Sequence, residues 1–75
     1  MSIENTIFPG QTWSVGGVWC RVFRTIPPGK TDWMWGIATP DGIVKVDEQE
    51  LHTKKRLAEI LNNVGKLVGS NFQAR

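Results

Sequence analysis

The sequence predicts an α+β domain, an antiparallel meander of three or four strands packed against one C-terminal amphipathic helix. Three observations carry this. β-Branched and aromatic residues crowd between residues 11 and 46, and Gly-Gly, Pro-Pro-Gly and Pro-Asp-Gly interrupt them at short intervals. Beyond residue 47 the apolar residues switch to helical spacing. The connections are short, so consecutive strands are left to pair as neighbours.

Residues 1–10 are polar, end in Pro9-Gly10, and read as a loose arm with Ile7 and Phe8 turned to the body. Residues 11–72 form the single domain and 73–75 a tail. Gln11 to Val15 reads as a first strand. Gly16-Gly17 follows, and glycine accepts the positive φ of a tight reversal. Val18 to Ile26 is a second strand, ended by Pro27-Pro28-Gly29 because proline donates nothing to a ladder. Asp32 to Thr39 is a third. Thr39-Pro40-Asp41-Gly42 makes a turn, with proline presetting φ and Asp41 capping, and Ile43 to Val46 returns as a fourth strand. Asp47 and Glu50 have the spacing of a capping box. Leu57, Leu61, Val64 and Val68 then recur on one stripe, predicting a helix over 47–68 with Gly69 beyond its end and Phe72 returning to the body. Gly65 interrupts that stripe and marks either close packing or an early helix end.

A chain of 75 residues buries a thin core, and such domains usually need a staple, a metal or a partner. A single Cys excludes an internal disulfide and fits a reducing compartment; with a single His it excludes the usual four-ligand zinc set. No basic-then-apolar leader opens the sequence and no apolar run is long enough to span a bilayer, so a cytoplasmic protein without membrane contact is expected. The formal net charge is +2, divided evenly between the two halves, and the pI is near 9.0. That permits nucleic acid as a partner without requiring it.

Four tryptophans are the unusual feature, all in the first half. Side chains alternate across a strand. Val18, Cys20 and Val22 therefore oppose Trp19, Arg21 and Phe23, and Trp33, Trp35 and Ile37 oppose Met34, Gly36 and Ala38. One face packs on the helix stripe, yet both carry large apolar groups. A small closed β-barrel with an appended helix would bury both, and is the alternative fold. Pairing of two chains, or a face left open for a ligand, would use the surplus differently.

Trp19, Arg21, Phe23, Arg24, Trp33 and Trp35 are the candidate partner-binding residues, because tryptophan and arginine dominate binding centres. Each has a plainer use as core or as a solvated charge. Lys30, Lys45, Lys54, Lys55 and Arg56 are candidate nucleic-acid contacts, acting with the sheet arginines. Glu50 and Lys54 would otherwise be an i,i+4 pair on a wet helix face. Lys and Arg so early in a helix oppose its dipole, which hints at another use. Cys20 reads as a small core hydrophobe and His52 as solvated.

Catalysis finds little support. There is no tyrosine, no spacing joins His52 to Cys20, and Asp32, Asp41 and Asp47 sit at turns or caps. Neither Gly65-Lys66-Leu67 nor Pro28-Gly29-Lys30-Thr31 satisfies a phosphate-binding loop. No cofactor, metal or small-molecule substrate is expected. The element order resembles that of small DNA-binding modules in which a three-stranded sheet leans on one C-terminal helix, as in the arm-binding domains of some tyrosine recombinases. The likeness covers element order over residues 11–70 and carries no binding residue onto this chain. The expected function is a non-catalytic binding or regulatory module that recognises a protein, its own copy included, through an aromatic sheet face. Nucleic-acid binding through the basic residues is the alternative.

Overall fold

The computed structural model describes residues 2–70. Phe72 and the tail 73–75 lie outside them. The elements are a 3-10 turn (Ile3–Thr6), β1 (Gln11–Val15), β2 (Val18–Thr25), β3 (Met34–Thr39), β4 (Gly42–Val44), α1 (Lys54–Val64) and β5 (Gly65–Ser70). The five strands form one antiparallel sheet in the order β4-β3-β2-β1-β5. β4 and β5 are its edges, so the sheet is open and the alternative of a closed barrel is not realised. The fold is α+β, a meander with a single helix on one face.

Tight turns hold the meander. Gly16 and Gly17 take φ of 59° and 83°, the mirror-image geometry that matches the twist of a hairpin. Between β3 and β4 the turn is pinned by Thr39, whose Oγ1 accepts from the Asp41 backbone N–H at 3.1 Å; the cap is Thr39 and not Asp41.

Ile7, Trp13, Cys20, Val22, Trp35, Ile37, Leu57, Ala58 and Leu61 form the core. Trp13, Cys20, Val22, Trp35 and Ile37 come from one sheet face, and α1 supplies Leu57, Ala58 and Leu61. The N-terminal segment, expected as an arm, is fastened at several points. Ile7 is fully buried. The buried Gln11 amide accepts from the Phe8 N–H (2.9 Å) and the Trp13 indole (3.0 Å) and donates to the Thr6 carbonyl (3.2 Å). Asn62 of α1 donates to Thr6 Oγ1 at 2.8 Å. A buried side-chain amide costs free energy unless paired, and here Gln11 joins segment, sheet and core.

The helix is shorter than predicted at both ends. It starts at Lys54, capped by Thr53, whose Oγ1 accepts from the Arg56 N–H at 3.1 Å. Asp47 and Glu50 cap nothing. Asp47 and Glu48 instead occupy the left-handed region (φ 52° and 64°) in a tight turn, with Val46 and Gln49 exchanging two 3.0 Å backbone bonds. The chain thus leaves β3 after Val44, detours through residues 45–51, and rejoins it where His52 pairs with Trp35. The helix ends at Val64. Residues 65–70, expected to continue it, are β5, which lies along β1. Gly65 sits where a Cβ would come within 3.0 Å of the Leu61 carbonyl oxygen and 3.2 Å of the Val15 side chain, so both options raised by this glycine hold: close packing and a helix end.

Candidate functional site

Helix α1 covers one face of the sheet and leaves the other open. β2 is the middle strand of five. Its Cys20 and Val22 point into the core, so Trp19, Arg21 and Phe23 point to the open face. Trp19 is 66% exposed. It borders a concavity of about 430 Å³ lined by Thr12, Trp19, Cys20, Arg21, Ala38, Thr39 and Pro40. Phe23 has another task. Its ring lies against Gly36 of β3, where a Cβ would meet it at 2.8 Å and the Glu50 carbonyl oxygen at 2.7 Å. The detour therefore crosses the sheet at Gly36 and closes this end of the face over a half-buried Phe23, leaving the Trp19 end open.

The other predicted partner-binding residues lie elsewhere. Trp35 is a core residue, 5% exposed. Trp33 precedes β3 and does not share the strand alternation that grouped it with Trp35; it stands 48% exposed. Arg24, near the end of β2, stacks over Trp33 at 4.4 Å from the ring centre and lies 5.9 Å from that of Trp35. Lys54 Nζ approaches Trp35 at 5.2 Å and Phe8 at 5.9 Å. The six residues thus form two groups. Trp19 and Arg21, with Phe23 at their border, belong to the open face. Arg24 and Trp33 gather around Trp35 with Lys54 and Phe8.

None of Lys30, Lys45, Lys54, Lys55 and Arg56 lines the concavity. Arg56 is bonded to Asp47 and approaches Glu59 at 3.5 Å. Lys66 does share the open face, because it pairs with Ser14, which pairs with Trp19. A helical reading of residues 65–70 could not reveal this. Thr12, Ala38, Thr39 and Pro40 also escaped sequence reasoning. They are small, carry no chemical signature, and reach the same hollow through strand register.

The other reactive groups, Cys20 and His52, are both buried. Cys20 is 1% exposed and burial pushes its thiol pKa up, away from the reactive thiolate. His52, expected in solvent, is 3% exposed, and its Nε2 has no hydrogen-bond partner. Burial lowers its pKa, and the Arg56 charge acts the same way; Asp47 and a bond to the Gln49 backbone oppose them. Among the described residues no three His, Cys, Asp or Glu side chains gather as metal ligands would, and no helix is long and apolar enough to cross a membrane.

No family model matches this chain, nor does any curated protein or solved structure.

Proposed function

We propose that this chain is a small non-catalytic binding module that recognises a protein through the open face of its sheet, with Trp19 as the anchor. One observation carries the reading. The most exposed of the four indoles stands on the middle strand of the uncovered face, beside a hollow walled by Ala38, Thr39 and Pro40. Exposed indole surface costs about 25 cal/mol per Å² relative to burial, and tryptophan is enriched among the hot spots that cluster at the centre of protein interfaces. Nucleic acid on this face is the weaker reading. Trp19 is the exposed ring on this face among the described residues, Phe23 is engaged against Gly36, and the hollow beside Trp19 offers a side chain rather than a base stack a place to enter. A cytoplasmic setting goes with this reading, since a lone buried thiol has no partner in the chain with which to oxidise.

The test uses three immobilised baits in cell extract: the native chain, Trp19→Ala and Trp33→Ala. Proteins held by the native chain and by Trp33→Ala, and lost from Trp19→Ala, are the expected result. Identical sets on all three would contradict it. Sedimentation equilibrium of the same three proteins shows whether the partner is a second copy.

A further inference from the structure

We infer a second binding site, for the phosphodiester backbone of single-stranded nucleic acid, at the end of the molecule where Arg24 and Lys54 flank Trp35. It lies apart from the Trp19 hollow and does not rest on the protein-binding reading.

Three strands of observation meet there. First, the two cations come from distant parts of the chain. Arg24 is near the end of β2 and Lys54 is the first residue of α1, and both lie against the ring of the buried Trp35. Among the described residues no carboxylate forms an ion pair with either, and Asp32, beside Trp33 in sequence, does not reach Arg24. Second, the cations are held rather than waving. A guanidinium stacked on an indole loses the freedom that a surface arginine keeps, while its N–H edges stay free to grip an oxyanion with two bonds. Third, rings stand beside the charges. Trp33 and Phe8 are 48% and 47% exposed, and since Arg24 covers one face of Trp33, that exposure belongs to the rest of the ring. Charged groups for phosphate next to open rings for bases are the two parts of a single-strand site.

Lys54 offers a further clue. A cation at the first position of a helix opposes the macrodipole, and this first turn carries no acidic residue in compensation. Lys54 therefore contributes little to helix stability where it stands. The β2–β3 connection that carries Trp33 holds Lys30 and Asp32, so it adds no net charge and the positive character of this end comes from Arg24 and Lys54.

The ligand chemistry decides between two polyanions. An acidic protein segment would satisfy the charges and leave the open rings unused. A single strand satisfies both, with phosphates on Arg24 and Lys54 and a base on Trp33.

The experiment is fluorescence anisotropy of a labelled 20-nucleotide mixed-sequence single strand, titrated with the native chain at low and high salt. Poly-glutamate and the matching duplex serve as competitors. Binding that weakens steeply with salt is expected, because each neutralised phosphate releases a counterion. Arg24→Ala and Lys54→Ala should each weaken it several-fold, and Trp33→Ala about tenfold. Arg24→Lys keeps the charge and loses the stacked fork, and should stay weak. Trp19→Ala should bind like the native chain. Near-ultraviolet circular dichroism checks that each variant is folded; should Trp33→Ala fail, Trp33→Phe replaces it and should retain most of the affinity. No binding at low salt, equal competition by poly-glutamate, or affinity lost with Trp19→Ala and kept with Arg24→Ala would each overturn the inference.

Discussion

Trp35 and His52 exchange two backbone hydrogen bonds of 2.7 Å each, and this pair returns the chain to the sheet after its detour. The imidazole is buried with Nε2 unpartnered, so protonation would place an unsolvated charge behind the pair.

The first prediction follows from that burial. The His52 pKa is lower in the fold than its ordinary 6.5. The unfolded chain therefore binds more protons in the window below 6.5, and stability rises with pH there. Stability is complete above that pH and falls as pH drops through it toward the depressed folded value. Urea midpoints measured from about pH 7.5 down to about 5 should decline, ahead of the carboxylate titrations at lower pH. His52→Gln should flatten this decline while lowering stability near neutrality. An unchanged slope would count against a neutral buried imidazole.

The crossing at Gly36 gives the second. A Cβ there meets a backbone carbonyl, Glu50 O at 2.7 Å, which cannot move as a side-chain tip can. Gly36→Ala should cost about 1–3 kcal/mol by overpacking. Gly69→Ala, where nothing lies within 4 Å, should stay within about 0.5 kcal/mol of the native chain. Urea denaturation of the two variants measures the contrast.

Helix capping gives the third. Thr53→Ala removes the side-chain acceptor for the Arg56 N–H and should cost about 1 kcal/mol. Asp47→Ala would cost a similar amount only if Asp47 were the cap. It should instead act only through its bond to Arg56, an exposed pair that salt screens, so its effect should be smaller than that of Thr53→Ala and should fade with added salt. Thermal melts with and without added salt separate the two.

The tryptophans give the fourth. Trp13 is 4% exposed and its indole N–H is bonded to Gln11. Trp13→Ala should lose about 3–5 kcal/mol, a large fraction of the stability of a domain this size. Trp19→Ala should change stability by no more than about 0.5 kcal/mol. Circular dichroism and urea midpoints check both.

The hairpins and the two faces of β2 were legible in the sequence, because glycine pairs, prolines and strand alternation act locally. Trp19 and Arg21 opposite Cys20 and Val22 follows from period two alone. The helix and its Leu57–Leu61 stripe were legible as well, but its bounds and the segments on either side were not, for three physical reasons. Asp47 and Glu50 mimic a capping box, while the backbone there turns through positive φ at two non-glycine residues, a choice fixed by the return to Trp35. Leu61, Val64 and Val68 keep helical spacing across a change of structure, in which Gly65 turns to extended backbone and pairs with Val15 of β1. The grouping of Arg24 with Lys54 depends on where α1 docks, which no local pattern encodes.

The central claim is that Trp19 and its hollow form a recognition surface. The direct measurement is the amide and indole chemical-shift change of isotopically labelled protein on adding the purified protein retained by the native bait, or on raising its own concentration if it self-associates. Changes centred on Thr12, Trp19, Arg21, Ala38 and Thr39 are predicted. Changes confined to the exposed side of α1, with the Trp19 indole signal unmoved, would contradict the account.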